Sequence, residues 1–73
     1  MNAIAAERAL RGWSQTDLAN KMQKDRSTIA RWEADPSSMG IPSLCRLSKL
    51  FNCSTDYILG LSDERVPRSK VVA

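Results

Sequence analysis

Seventy-three residues make a single domain near the lower size limit for a core-stabilised fold, where about 60% of the unfolded chain's surface is buried, and they leave little room for an elaborate catalytic cleft. Eleven Lys and Arg against eight Asp and Glu give a net charge of +3 and a pI near 9.2, which allows a polyanionic partner without requiring one. With no His, only Cys45 and Cys53, no apolar run of roughly 20 residues and charge arriving early in Met-Asn-Ala-Ile-Ala-Ala-Glu-Arg, the composition argues against a zinc site, a membrane span and a secretion signal.

The expected setting is cytoplasmic, with both cysteines reduced and packed inside. In chain order, Asn2 to Arg11 is strongly helix-forming and Gly12 ends it. Ser14 before Gln15-Thr16-Asp17 is close to a capping box and starts a second helix over 15–22. Asp25 offers a cap to a third helix over 26–34, so that only Gln23 and Lys24 lie between the second helix and that cap. The turn formers of 35–40 read as a loop. Ile41 with Pro42 in the first turn opens a fourth helix to Phe51, with Ile41, Leu44, Cys45, Leu47 and Phe51 as its apolar positions. Ser54 caps a short fifth helix over 55–59, closed by Gly60. The domain is thus 1–60, and 61–73, without amphipathic period, is expected to be a flexible basic tail.

Leu18, Ala19, Met22, Ile29 and Trp32 are apolar at spacings that let the second and third helices pack on each other, the pattern of a DNA-binding helix-turn-helix. At about 100° per residue, Ile29 and Trp32 share one side of the third helix, Arg26, Ser27, Ala30 and Arg31 cover the other, and Thr28 flanks them. Two guanidiniums and a hydroxyl around one small residue suit base edges, because Arg can bond bidentately to guanine O6 and N7. The rival reading is an ordinary amphipathic helix whose outer charges are merely solvated.

The stretches W-S-Q-T-D-L-A, R-S-T-I-A-R-W-E and C-S-T-D-Y-I-L-G, in that order within 4–60, resemble the Cro and repressor type helix-turn-helix proteins of lambdoid phages and the related Xre-like regulators. The resemblance implies an all-α, compact five-helix lambda-repressor-like domain that binds a near-palindromic double-stranded DNA operator as a homodimer and controls transcription, with neither catalysis nor a cofactor. Position by position, it implies that Arg26, Ser27 and Arg31 read bases and that Gln15 holds a phosphate beside the helix amides. It places Thr28 for a phosphate or a thymine methyl, and pairs Arg8 with Glu33 to tie the first helix to the end of the third.

The chain departs from that pattern at three places. Gln23 stands where Gly is usual, so a left-handed backbone there would cost roughly 1 kcal/mol. Lys24 replaces an often apolar residue and can reach a phosphate. Residues 34–45 contain no Lys or Arg to grip the DNA backbone, which implies weaker or more partner-dependent binding unless Arg65, Arg68 and Lys70 compensate. Two alternatives follow: an antitoxin-type autorepressor, or a protein-binding module that keeps the fold and uses the fifth helix and the adjoining end of the fourth, with Leu44, Thr55 and Ile58, or the tail, for a partner. An enzyme is disfavoured by the lack of His, of a Gly-rich phosphate loop and of paired carboxylates outside Asp63-Glu64.

Overall fold

The first amides of a helix have no partner within the helix, and short polar side chains meet that need at four helix starts in this chain. The computed structural model describes residues 2–65, and among them five α-helices follow one another without a strand: α1 (Ala3–Leu10), α2 (Gln15–Met22), α3 (Arg26–Ala34), α4 (Ile41–Phe51) and α5 (Thr55–Leu59). Asn2 accepts from the Ala5 amide at 3.0 Å, Ser14 from Asp17 at 3.0 Å, Asp25 from Thr28 at 2.9 Å and Ser54 from Tyr57 at 3.1 Å. α4 has no side-chain cap and starts instead at Gly40 with Pro42 in its first turn, where the missing amide hydrogen is harmless. The 35–40 connection is more ordered than a plain loop: Pro36–Ser38 form a single 3-10 turn capped by Asp35.

α2 ends at Gln23, whose φ of 57° and ψ of 42° are left-handed, and the Lys24 amide then reaches back to the Ala19 carbonyl at 2.9 Å. The chain reverses within two residues, and α3 is laid across α2. Leu18, Ala19 and Met22 from α2 and Ile29 and Trp32 from α3 are all buried, joined in one core by Ile4 of α1, Leu47 and Phe51 of α4, Cys53 of the α4–α5 link and Ile58 of α5. Ala19 has only a methyl group to place between the helices, which permits their close approach.

Three expectations need correction. On α4, Ile41 is 75% exposed and Cys45 is exposed, so the helix buries Leu47 and Phe51 with Leu44 and Leu50 packed beside them. From the core direction near Leu47 and Phe51, Ile41 and Cys45 are turned away by about 80 to 160° at 100° per residue. Of the two free cysteines only Cys53 is inside, its Sγ donating to the Phe51 carbonyl at 3.3 Å, and burial, followed by the charge of Glu7, raises its pKa. Ile58 is 1% exposed and belongs to the core, so it is unavailable to a partner.

The segment after Gly60 turns back toward α5. Ser54 donates from its amide to the Arg65 carbonyl at 2.8 Å and from its hydroxyl to the Glu64 carbonyl at 2.9 Å. Arg65 thereby reaches α1, while Arg68 and Lys70 of the expected tail lie outside the described residues.

Candidate nucleic-acid interface

The start of α2 is fixed by a reciprocal pair of bonds: Ser14 Oγ accepts from the Asp17 amide, and Asp17 accepts from the Ser14 amide at 2.8 Å. The backbone and hydroxyl of Ser14 hold the Asp17 carboxyl below its usual range. Gln15, the next residue, is thereby set at the mouth of the α2–α3 pair. Its side chain bridges two helices, donating from Nε2 to Glu33 Oε1 at 3.0 Å and accepting at Oε1 from Arg26 Nη1 at 3.1 Å.

Arg8 and Glu33 are brought together across α1 and α3. Arg8 Nε lies 2.7 Å from Glu33 Oε2 and Nη2 lies 3.2 Å from Oε1, a two-pronged contact in which Arg8 Nη1 also donates to the Trp13 carbonyl at 2.9 Å. Asn2 Nδ2 donates to the Glu33 carbonyl as well. Burial works to raise the Glu33 carboxyl and is outweighed by the Arg8 guanidinium and the Gln15 amide, so its pKa is lowered. The Glu33 contact raises the pKa of Arg8.

At the start of α3, Asp25 Oδ1 accepts from the Thr28 hydroxyl at 2.7 Å, the Thr28 amide at 2.9 Å and the Ser27 hydroxyl at 2.9 Å. The Thr28 hydroxyl, then the Thr28 amide, and then the Ser27 hydroxyl hold the Asp25 carboxyl down to about 2. Both hydroxyl protons are therefore directed into the cap, and Ser27 and Thr28 present oxygen lone pairs outward in this arrangement. Arg26, Ser27 and Arg31 are exposed on α3, with Ala30 half-buried between them and the buried Ile29 and Trp32 behind. Among the described residues, the Arg31 guanidinium and the Lys24 ammonium make no hydrogen bond or ion pair, and Arg26 has only the neutral Gln15 carbonyl. These three cations therefore make no ion pair among the described residues, and the carboxylate between Lys24 and Arg26 in sequence, Asp25, is turned into its own helix cap.

The cationic surface stops at Ala34, since the Pro36–Ser38 turn and the start of α4 carry no Lys or Arg. Arg65 is engaged elsewhere, which removes it as a compensating phosphate contact in this arrangement. Its Nε and Nη2 hold Glu7 Oε2 and Oε1 at 2.7 and 2.6 Å, and Glu7 also takes Arg11 Nη1 at 2.9 Å and the Tyr57 hydroxyl at 3.2 Å. Glu7 is only 1% exposed, and the Arg65 hydrogen bond, opposed by burial and aided by Arg11, lowers its carboxyl to about 2. Sequence reasoning missed this centre. Its available signal was the i,i+4 spacing of Glu7 and Arg11, with Glu7 three residues after the core residue Ile4.

Among the described residues no three His, Cys, Asp or Glu side chains are placed to hold a metal ion, and no helix is long and apolar enough to cross a membrane.

Comparison with known proteins gives the same organisation. The family model described as Helix-turn-helix matches residues 4–58. Among curated proteins, the chain is 35% identical over 49 residues to the HTH-type transcriptional regulator ImmR of Bacillus subtilis (strain 168). That alignment covers 67% of this chain and 39% of the relative, so the chain spans about two fifths of the relative's length. No solved structure matches it.

Proposed function

The chain belongs to the helix-turn-helix family of the Cro and repressor, Xre-like type, and on that premise we propose that it binds duplex DNA sequence-specifically as a regulator of transcription. The observation that carries this reading is the outer face of α3, where Arg26, Ser27 and Arg31 stand on a helix anchored by Ile29 and Trp32 and, among the described residues, no acid pairs with either guanidinium. A helix of this kind in a major groove puts its N-terminal residues against base edges.

Arg26 and Arg31 are the guanine readers in this proposal, Ser27 and Thr28 offer acceptors to base amino groups, and Lys24 neutralises a phosphate. One such helix contacts too few base pairs to be selective. The regulator therefore acts as a homodimer on a near-palindromic operator, with its two α3 helices about 34 Å apart. Regulation is by occupancy, a bound dimer excluding or recruiting polymerase without covalent chemistry. The relative from Bacillus subtilis, described as a transcriptional regulator, supports the same direction.

Selection of binding sites from random duplex DNA by the purified chain tests the proposal. Enrichment of one inverted-repeat motif is the expected result. Salt-sensitive binding without any enriched sequence, or no binding at all, would overturn specific recognition and leave the fold as a platform for a protein partner.

A further inference from the structure

We propose that a second copy of this chain docks its corner after α5, formed by Asp56, Leu61 and Asp63, into the cationic groove between α2 and α4, lined by Lys21, Met22, Arg46, Lys49 and Leu50. The contact joins two unlike surfaces and does not depend on the reading of α3.

Every charge lining the groove is positive. α4 supplies Arg46 and Lys49, and residues 36–55 contain no Asp or Glu. Across from them Lys21 sits over the Trp13 ring at 4.5 Å, a contact that fixes the ammonium without neutralising it. Among the described residues none of the three cations makes an ion pair, and the nearby acids Asp17 and Asp25 are turned into their own helix caps. Met22 and the half-buried Leu50 supply an apolar lining between the charges. A run of phosphates would leave that lining unused, whereas an acidic segment with an apolar side chain fills it.

The chain carries a surface of the opposite kind. The Leu61 amide donates to the Asp56 carbonyl at 2.8 Å, which holds Leu61 against the end of α5 while its side chain is 75% exposed. Asp56 and Asp63 flank it in sequence, both exposed, and among the described residues neither carboxylate has an ion pair. This corner cannot reach the groove of its own chain. Asp63 lines a cleft with Ala3, Ala6 and Tyr57 that shares no residue with the groove, and the segment is pinned there: Ser54 binds the Glu64 and Arg65 carbonyls, and Arg65 holds Glu7. The contact is therefore between molecules, and a pinned segment loses little freedom on docking.

A head-to-tail contact of this kind leaves one groove and one corner open at its ends, so it adds chains to a row and does not close a pair. Two-fold dimers on adjacent DNA sites would make it at high effective concentration; that consequence, unlike the contact itself, rests on the DNA-binding reading.

Methyl NMR of the full chain, labelled at Leu and Met, tests the contact over a series of protein concentrations. The Leu61 methyls of the corner and the Leu50 and Met22 methyls of the groove should move together as concentration rises, and return as salt is added. Asp63→Lys, and separately Arg46→Glu with Lys49→Glu, alter only exposed side chains and should each weaken the association about tenfold. Mixing the two variants should restore it, since the intact groove of the first meets the intact corner of the second. With only the Asp63→Lys chain labelled, its Leu50 methyls should then move as the unlabelled groove variant is added.

Self-association that moves Leu61 while Leu50 and Met22 stay still would mean that the corner meets its own kind, and would overturn the proposal. No movement at any concentration would do the same. So would groove methyls that ignore protein concentration and respond to added duplex DNA, which would make the groove a phosphate surface. None of these outcomes touches base reading by α3, which selection from random DNA tests separately.

Discussion

Gln23 occupies a left-handed backbone with φ of 57° at the turn between α2 and α3, where a Cβ is crowded. Relief of that crowding is worth about 1 to 2 kcal/mol, and the extra freedom of glycine in the unfolded chain removes about 0.4 to 1 kcal/mol of it. Gln23→Gly should therefore raise stability by up to about 1.5 kcal/mol, seen as a higher urea midpoint at unchanged slope. On the recognition face, Arg31 and Lys24 differ in what they touch in the proposed complex. Arg31→Ala should lower affinity for the selected site by about 1 to 3 kcal/mol and relax selectivity at one position, most visibly at a guanine. Lys24→Ala should weaken all DNA alike and lower the slope of log affinity against log salt by about one. Titrations of selected and scrambled DNA at several salt concentrations separate the two, and a uniform loss from Arg31→Ala would remove it from the readers. The exposure of these residues was legible because helical periodicity puts charged side chains outward. Which of their donors are already engaged was not, since the Ser27 and Thr28 hydroxyl contacts with Asp25 depend on rotamers that spacing does not encode.

α1 and α3 are coupled through Arg8 and Glu33, whose side chains are 21% and 11% exposed and whose contact has two prongs. At that burial, removing one partner leaves the other poorly solvated, and a double-mutant cycle should give a coupling above about 0.5 kcal/mol, beyond that of an ordinary surface pair. Additive effects of Arg8→Ala and Glu33→Ala on unfolding free energy would show that the contact contributes nothing as a pair. Element boundaries were largely readable, because Ser14, Asp25 and Ser54 announce helix starts through a local side-chain chemistry that needs no tertiary partner. The buried face of α4 was less so. Its apolar residues extend past one stripe, and the choice of Leu47 and Phe51 over Ile41 and Cys45 follows from where α2 and α5 lie.

Across the whole molecule, Glu7 joins α1, α5 and the segment that follows α5 through one buried carboxylate. Its folded pKa of about 2 lies below its ordinary value of 4.5, so the unfolded chain binds the proton first as pH falls. The stabilisation is present in full above about pH 4.5 and is lost as the pH drops toward 2. Glu7→Gln should flatten that acid limb of the stability curve, measured as Tm against pH, whereas an unchanged limb would assign acid sensitivity to other carboxylates. At the same scale, the proposed dimer should protect an inverted repeat with half-sites one helical turn apart, and sedimentation of the protein–DNA complex should give two chains per site. A single half-element bound by one chain would contradict it.

The sequence by itself determined the five helices, their order, the α2–α3 core and the outward face of α3, because caps and 3.6-residue periodicity act over a few residues along the chain. Only the tertiary structure decided that Glu7 is buried with Arg11, Arg65 and Tyr57 around it, and that Gln15 links Glu33 to Arg26. The partners in those contacts lie 11 to 58 residues apart, apart from the Arg11 contact four residues away. The physical reason is that burial and charge pairing depend on which helices meet. A polar side chain on a local stripe carries no mark of whether water or another side chain will satisfy it.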